Sequence, residues 1–144
     1  MIHVDSITTA LFEILQNDPV LVSSGYTIQE GEALNRDINQ TPWVGLYYGS
    51  LTLDPHTLGG LIPWKADLEL FLYVQEGSHR SGQEATRLLS RAQSAVLQTV
   101  CGNRTIGGTV LSLSGLEVTP FQRDLSDNQW LFTNEIAIKA ELRG

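Results

Sequence analysis

The stretch that decides the fold is Lys65–Gly102, KADLELFLYVQEGSHRSGQEATRLLSRAQSAVLQTVCG. Its first part alternates apolar and polar side chains with the period of two that lets a strand bury one face. Its second part opens on a capping box, Ser81–Glu84, and then places apolar residues every three or four positions, as an amphipathic helix does. Gly102 suits a left-handed helix end. We therefore expect a central strand followed by a long helix that packs on the same sheet.

Length and charge limit the class of protein. The chain has 144 residues and a formal net charge of -7, which predicts one domain over residues 1–144. Tight binding of DNA or RNA through phosphates needs a basic surface, so it is not expected. No apolar run approaches the ~20 residues of a membrane helix, which predicts a protein without a membrane partner. Cys101 is the single cysteine, and its place in an apolar helix predicts a buried thiol.

The other patterns complete an α+β fold. They predict a first helix ending near Asn17, a strand over Trp43–Leu53 and a final hairpin with its tip at Arg123–Asn128. Pro19–Ser23 fits one further helical turn, and Tyr26–Glu30 fits a short edge strand. The expected order of the main elements is helix, strand, strand, helix, strand, strand. A four-stranded, mainly antiparallel sheet with two helices packed on one face buries all of these apolar stripes.

The face of the sheet away from the helices carries aromatic side chains that two helices cannot cover. Each ring brings about 150–250 Å² of surface, so together they exceed the apolar patch that a monomer usually exposes. We therefore predict that this face contacts another subunit. The alternative is that the loop Asp54–Trp64 folds over it. The predicted aromatic contacts are Trp43, Tyr48, Phe71 and Tyr73.

The loop Asp54–Trp64 is the second predicted contact region. It is longer than the two to five residues of a usual hairpin link, and it is apolar for a solvated turn. Long loops on a rigid scaffold often carry binding residues, which predicts an interface loop. The alternative is that the loop covers the core of its own domain. The contact candidates within it are Leu58, Leu61, Ile62 and Trp64.

No arrangement of residues in the sequence predicts catalysis. Asp54 and His56 are two possible metal ligands in one loop, and Asp67 and Glu69 share one strand face. Two ligands are too few for a metal site, and carboxylates on a hydrated strand usually serve solubility or subunit contacts. We therefore predict a protein that is not an enzyme and that uses no metal or other cofactor. A ligand-binding or hydrolytic domain with a pocket near His56 or Asp67 is an alternative.

The order of several features resembles the tail terminator, or tail completion, proteins of long-tailed bacteriophages. The features are the short first helix ending near Asn17-Asp18-Pro19, the strand Trp43–Tyr48, the long hairpin loop, the helix opening on Ser81–Glu84 and the long final strand. The resemblance covers most of the chain and is one of element order and texture rather than of a diagnostic motif.

The resemblance implies a structural virion protein that forms a ring, typically a hexamer, on the head-proximal end of the tail tube. Such a ring stops tube polymerisation and offers a surface to the head connector or neck protein, while DNA passes through its lumen without specific binding. The resemblance also implies assembly in the host cytoplasm and a final location in the virion tail. The loop Asp54–Trp64 and the hairpin-tip residues Asp124 and Asp127 are then expected to reach the tube or connector. A neck or head-completion protein is the alternative.

Overall fold

The computed structural model describes residues 4–30, 42–53, 65–77, 82–126 and 129–143. Helices α1 (Val4–Gln16) and α2 (Pro19–Ser23) come first, and strands β1 (Thr27–Glu30), β2 (Trp43–Leu53) and β3 (Lys65–Gly77) follow them. The chain then forms helix α3 (Gly82–Gly102) and the hairpin of β4 (Ser112–Ser126) and β5 (Gln129–Arg143).

The strands form one five-stranded sheet in the order β1-β2-β3-β5-β4. Strand β1 runs parallel to β2, and every other neighbouring pair is antiparallel. The α+β class and the two antiparallel hairpins were predicted correctly. The predicted four-stranded sheet with two helices is wrong, because the four-residue β1 adds a fifth, parallel strand and the short α2 is a third helix. The edge strand over Tyr26–Glu30 and the helical turn over Pro19–Ser23 were themselves predicted, and β1 and α2 confirm them; the error was to leave them out of the sheet and helix count.

The core lies between the helices and one face of the sheet. Strand β3 supplies its centre, since Leu68, Leu70, Leu72 and Val74 are each at most 1% exposed. Helix α3 packs on β3 and β5, and α1 lies beside it against β1 and β2. At about 1.5–3 kcal/mol for each buried side chain, these four residues contribute roughly 6–12 kcal/mol against the entropy of ordering the chain. The predicted inward face of β3 is therefore confirmed.

Asp18 connects the short helix α2 to the long helix α3. Its Oδ1 accepts hydrogen bonds from the backbone N–H groups of Val20 at 2.9 Å and Leu21 at 3.2 Å, which caps α2. Its Oδ2 accepts a hydrogen bond from the Thr99 hydroxyl on α3. Asp18 is 7% exposed, so both interactions lie where water competes weakly. The cap therefore also fixes α2 against α3.

Two further polar groups lie among the apolar residues under the helices. Asn134 interrupts the apolar face of β5, and its Nδ2 donates a hydrogen bond to Oε1 of Gln93 on α3. Asn134 lies opposite Val74 of β3, and two residues further along that strand the Tyr26 hydroxyl donates to Oε2 of the buried Glu76 at 3.1 Å. Buried polar groups are stable when they are hydrogen-bonded. These bonds therefore orient the helical layer on the sheet.

The last turn of α3 and the segment after it correct two predictions. Cys101 is exposed rather than buried, because the last turn of α3 presents it to the solvent side. Gly102 ends the helix without the left-handed conformation, which occurs instead at Ile106 (φ 46), Gly107 (φ 65) and Gly108 (φ 83). Ile106 is fully buried in that conformation. A β-branched residue there is strained, so the packing of its side chain must hold the turn.

Candidate functional site

The outer face of the sheet, the side away from α1 and α3, is the candidate site, and a bulge in β2 divides it. Up to Gly45, which lies opposite Tyr73, the odd-numbered residues of β2 lie on this face. The pairing register then shifts between Tyr48 and Ser50, so that Ser50 lies opposite Glu69. One extra residue in a strand moves every later side chain to the other face. A strict alternation over Trp43–Leu53 predicts that every odd-numbered residue lies on one face. That prediction is wrong beyond Gly49.

The first half of the outer face is aromatic and already buried. Trp43 is fully buried, Tyr73 is 2% exposed, and Phe71 packs half-buried against this pair. A Cβ built on Gly45 would stand 2.1 Å from Cη2 of Trp43, and one on Gly49 would stand 2.6 Å from Cε2 of Phe71. The rings therefore lie flat over the two glycines.

This packing corrects a prediction. The expectation that these aromatic side chains stand open until another subunit covers them is wrong for Trp43 and Tyr73, which are buried within the single chain. The glycines leave room for the Trp43 and Phe71 rings to lie against the sheet. The loop Asp54–Trp64, the alternative cover for these rings, lies outside the described residues. Phe71 keeps part of its surface exposed. A subunit contact through these residues stays a prediction.

The second half of the outer face is charged. Strands β3, β4 and β5 place five carboxylates and one lysine on the outer face, with Glu135 opposite Tyr73 at the border with the aromatic half: Asp67, Glu69, Glu117, Glu135, Lys139 and Glu141. We call this set the acidic half. Two of its carboxylates, Glu69 and Glu135, are half-buried, and the other four side chains are exposed. The acidic half therefore presents a strong negative potential to whatever approaches the sheet.

A shallow groove of about 380 Å³ crosses the acidic half. It is lined by Ser50, Thr52, Asp67, Leu68, Glu69, Ser114 and Lys139. Sites for small molecules are mostly lined by apolar side chains, whereas this groove has a single one. In the part of the chain that the structure describes, no three His, Cys, Asp or Glu side chains are placed to hold a metal ion. The groove therefore does not favour the ligand-binding or hydrolytic alternative.

Several predicted contact residues lie beyond what the structure describes. Leu58, Leu61, Ile62, Trp64 and Asp127 fall outside the described residues. Tyr48 in β2 and Asp124 in β4 have described strands but no described side chains. Glu117, Glu135 and Glu141 were not predicted to share one surface with Asp67 and Glu69. Strand alternation was the available signal, since these residues lie opposite the apolar positions of β4 and β5.

In the residues that the structure describes, the architecture is an α+β domain whose helices cover one face of the sheet. No protein-family model and no curated protein matches this chain. Among solved structures, it is similar to a chain of the virion of a native gene transfer agent particle, with 10% sequence identity, a TM-score of 0.46 and 93% of each chain covered. At that identity and TM-score the likeness carries no argument about function. No helix in the described parts of the chain combines the length and apolar character needed to cross a membrane.

Proposed function

We propose that this chain is a structural virion protein that forms a ring on the head-proximal end of a phage tail tube. The ring stops tube polymerisation and provides the surface for head joining through a connector or neck protein. It assembles in the host cytoplasm and remains in the tail of the virion. The proposal begins from the resemblance in element order to the tail terminator proteins.

The observation that carries the proposal is the outer face of the sheet. Helices α1 and α3 belong to one core on the opposite face, and no described helix packs on the outer face. Phe71 lies half-buried between the Trp43–Tyr73 pair and the acidic half. Protein interfaces combine an aromatic or apolar centre with a polar, charged rim. This face therefore supports assembly with another protein chain better than it supports catalysis.

A ring explains how such a protein ends a tube. Head-to-tail contacts that close after one turn leave no free contact surface within the ring, whereas a tube subunit offers the same surfaces at both ends. One side of the ring must match the tube and the other must reject it, which requires features that disfavour the wrong partner. The net charge of -7 also lets DNA pass without sticking, because like charges repel.

The test measures the mass of the purified chain by light scattering after gel filtration, over a range of concentrations and with assembled tail tubes added. A hexamer of this 15.9-kDa chain has a mass of about 95 kDa. We expect either that mass in solution or its formation on the tubes, with negative-stain images showing one capped end and no further growth. A chain that remains monomeric at every concentration and ignores the tubes overturns the proposal. Binding to a connector but not to tubes would identify a neck protein instead.

A further inference from the structure

We infer that copies of this chain join head to tail, with the acidic half of one copy against the exposed arginines of helix α3 on the next. Arg87 and Arg91 are those arginines, and we call them the arginine stripe. The inference rests on the proposed function in one respect, namely that the protein assembles with itself. It adds which two surfaces meet and what chemistry joins them.

The arginine stripe is a charged surface that faces away from the core. Arg87 and Arg91 are four residues apart, so they lie on one side of α3, and both are exposed. The opposite side of the helix buries Leu89, Ala92 and Val96. Like charges at this spacing destabilise a helix slightly. The exposed Glu84 lies one turn before Arg87, so it flanks the stripe at its N-terminal end. A negative surface placed against the stripe would turn the repulsion between the two arginines into attraction.

The arginine stripe and the acidic half lie on opposite sides of one domain. Helix α3 packs on β3 and β5, which are two of the strands that carry the acidic half on their other face. Each copy therefore offers a negative surface on the sheet side and a local pair of arginines on the helix side, where the other exposed charges of α1 and α3 are Asp5, Glu13 and Glu84. That is the arrangement that a head-to-tail contact requires, and it produces a ring when the rotation between neighbours closes.

The charges also disfavour the other way in which two copies could meet. A symmetric dimer through the outer face would set the five carboxylates of one acidic half against those of the other. Like charges brought together at an interface disfavour association. The described charges thus favour the arginine stripe of the neighbour as the occupant of the acidic half.

The side chains suit each other chemically. A guanidinium group offers five N–H donors in a planar fork, which can bind a carboxylate through two hydrogen bonds and can stack on an aromatic ring. Phe71 lies two residues from Glu69 on the same strand face and is partly exposed. An arginine that reaches Glu69 can therefore also contact the Phe71 ring. Between the arginines and along the same side of α3 lie short polar residues, Ser90 and Ser94, which permit close approach.

The test uses two charge-reversed forms of the full chain, under conditions in which the wild type assembles. One form carries Arg87→Glu and Arg91→Glu, and the other carries Asp67→Lys, Glu117→Lys and Glu141→Lys, which leaves four lysines against two carboxylates on the outer face. All five positions are exposed, so each form should fold, which circular dichroism and the urea midpoint verify. Arg104→Glu is the control, because it makes the same change of charge on an exposed arginine outside the stripe.

Each charge-reversed form alone should need about a hundredfold higher concentration to assemble, because like charges now meet at every contact. An equimolar mixture of the two forms should assemble again, because the altered surface of each form then meets a surface of opposite charge on the other form. Arg104→Glu should assemble as the wild type does. Raising the ionic strength should weaken wild-type assembly.

Three results would overturn the inference without removing the proposed function. If the wild type assembles and both reversed forms assemble equally well, the subunit contact lies elsewhere while the proposed function survives. If both forms fail alone and the mixture also fails, these two surfaces do not meet. If the reversed sheet form loses binding to a tube or connector protein but still assembles with itself, the acidic half serves a different protein. A wild type that never assembles, with or without tubes, removes the proposed function together with the inference.

Discussion

The indole ring of Trp43 lies across Gly45, two residues further along the same strand. A Cβ on Gly45 would stand 2.1 Å from Cη2 of Trp43 and 2.4 Å from its Cζ3, which is far inside contact distance. Gly45 also lies opposite Tyr73 on β3. Glycine at position 45 is therefore needed for the Trp43 ring to lie against β2 in its buried position.

We expect Gly45→Ala to destabilise the protein by about 1–3 kcal/mol, because the new methyl group must displace the Trp43 ring from its buried position. Urea unfolding followed by circular dichroism measures this change. Gly115→Ala is the matched control, since a Cβ there would meet only the Lys139 side chain, at 3.9 Å or more. The control should change the free energy of unfolding by about 0.5 kcal/mol or less. Equal effects of the two substitutions would contradict the close approach at Gly45.

Tyr73 and Phe71 on β3 should respond differently to replacement by aspartate. Tyr73→Asp is expected to unfold much of the protein, because Tyr73 is 2% exposed and an unpaired carboxylate there has no water around it. Phe71→Asp should leave a cooperative fold and weaken self-association, because Phe71 is only half-buried. Melting curves and light scattering on both variants test this. Unchanged association of Phe71→Asp would count against the outer face as a subunit contact.

Leu70→Ala should cost about 2–5 kcal/mol of stability, since this side chain is fully buried under α3 and its removal leaves a cavity. Leu53→Ala is the comparison on the neighbouring strand, where the side chain is 40% exposed. It should cost clearly less, about 1 kcal/mol, because a large share of the removed surface already meets water. The urea midpoints of the two variants give the difference. Similar losses at both positions would mean that the core does not lie where β3 places it.

Asp18→Ala should lower stability by about 1–3 kcal/mol, because it removes the cap of α2 and the hydrogen-bond partner of Thr99 together. Thr99→Val removes only the second interaction and should cost about 0.5–1.5 kcal/mol. Asp5→Ala is the control at an exposed aspartate in the first turn of α1. It should cost no more than about 1 kcal/mol, as expected for the helix dipole alone. An Asp18→Ala effect as small as that of Asp5→Ala would refute the bridging role.

The sequence by itself determined β3, α3 and the hairpin of β4 and β5, and with them the α+β class. These elements are long and one side of each is buried, so burial imposes a period of two or of three to four over many residues. The same alternation placed Asp67, Glu69 and Phe71 on the outer face. It could not assemble Glu117, Glu135 and Glu141 into one surface with them, because the strand order and register that make them neighbours are long-range properties.

Only the tertiary structure decided the parallel β1, the change of face after Gly49 and the burial of Trp43 and Tyr73. A bulge depends on how the partner strand pairs, and a ring that lies over a glycine depends on space that no local pattern records. The exposure of Cys101 was decided in the same way, by which side of α3 the sheet covers. Local periodicity indicates that a segment buries one face, but the shape of its neighbours decides which side chains are covered.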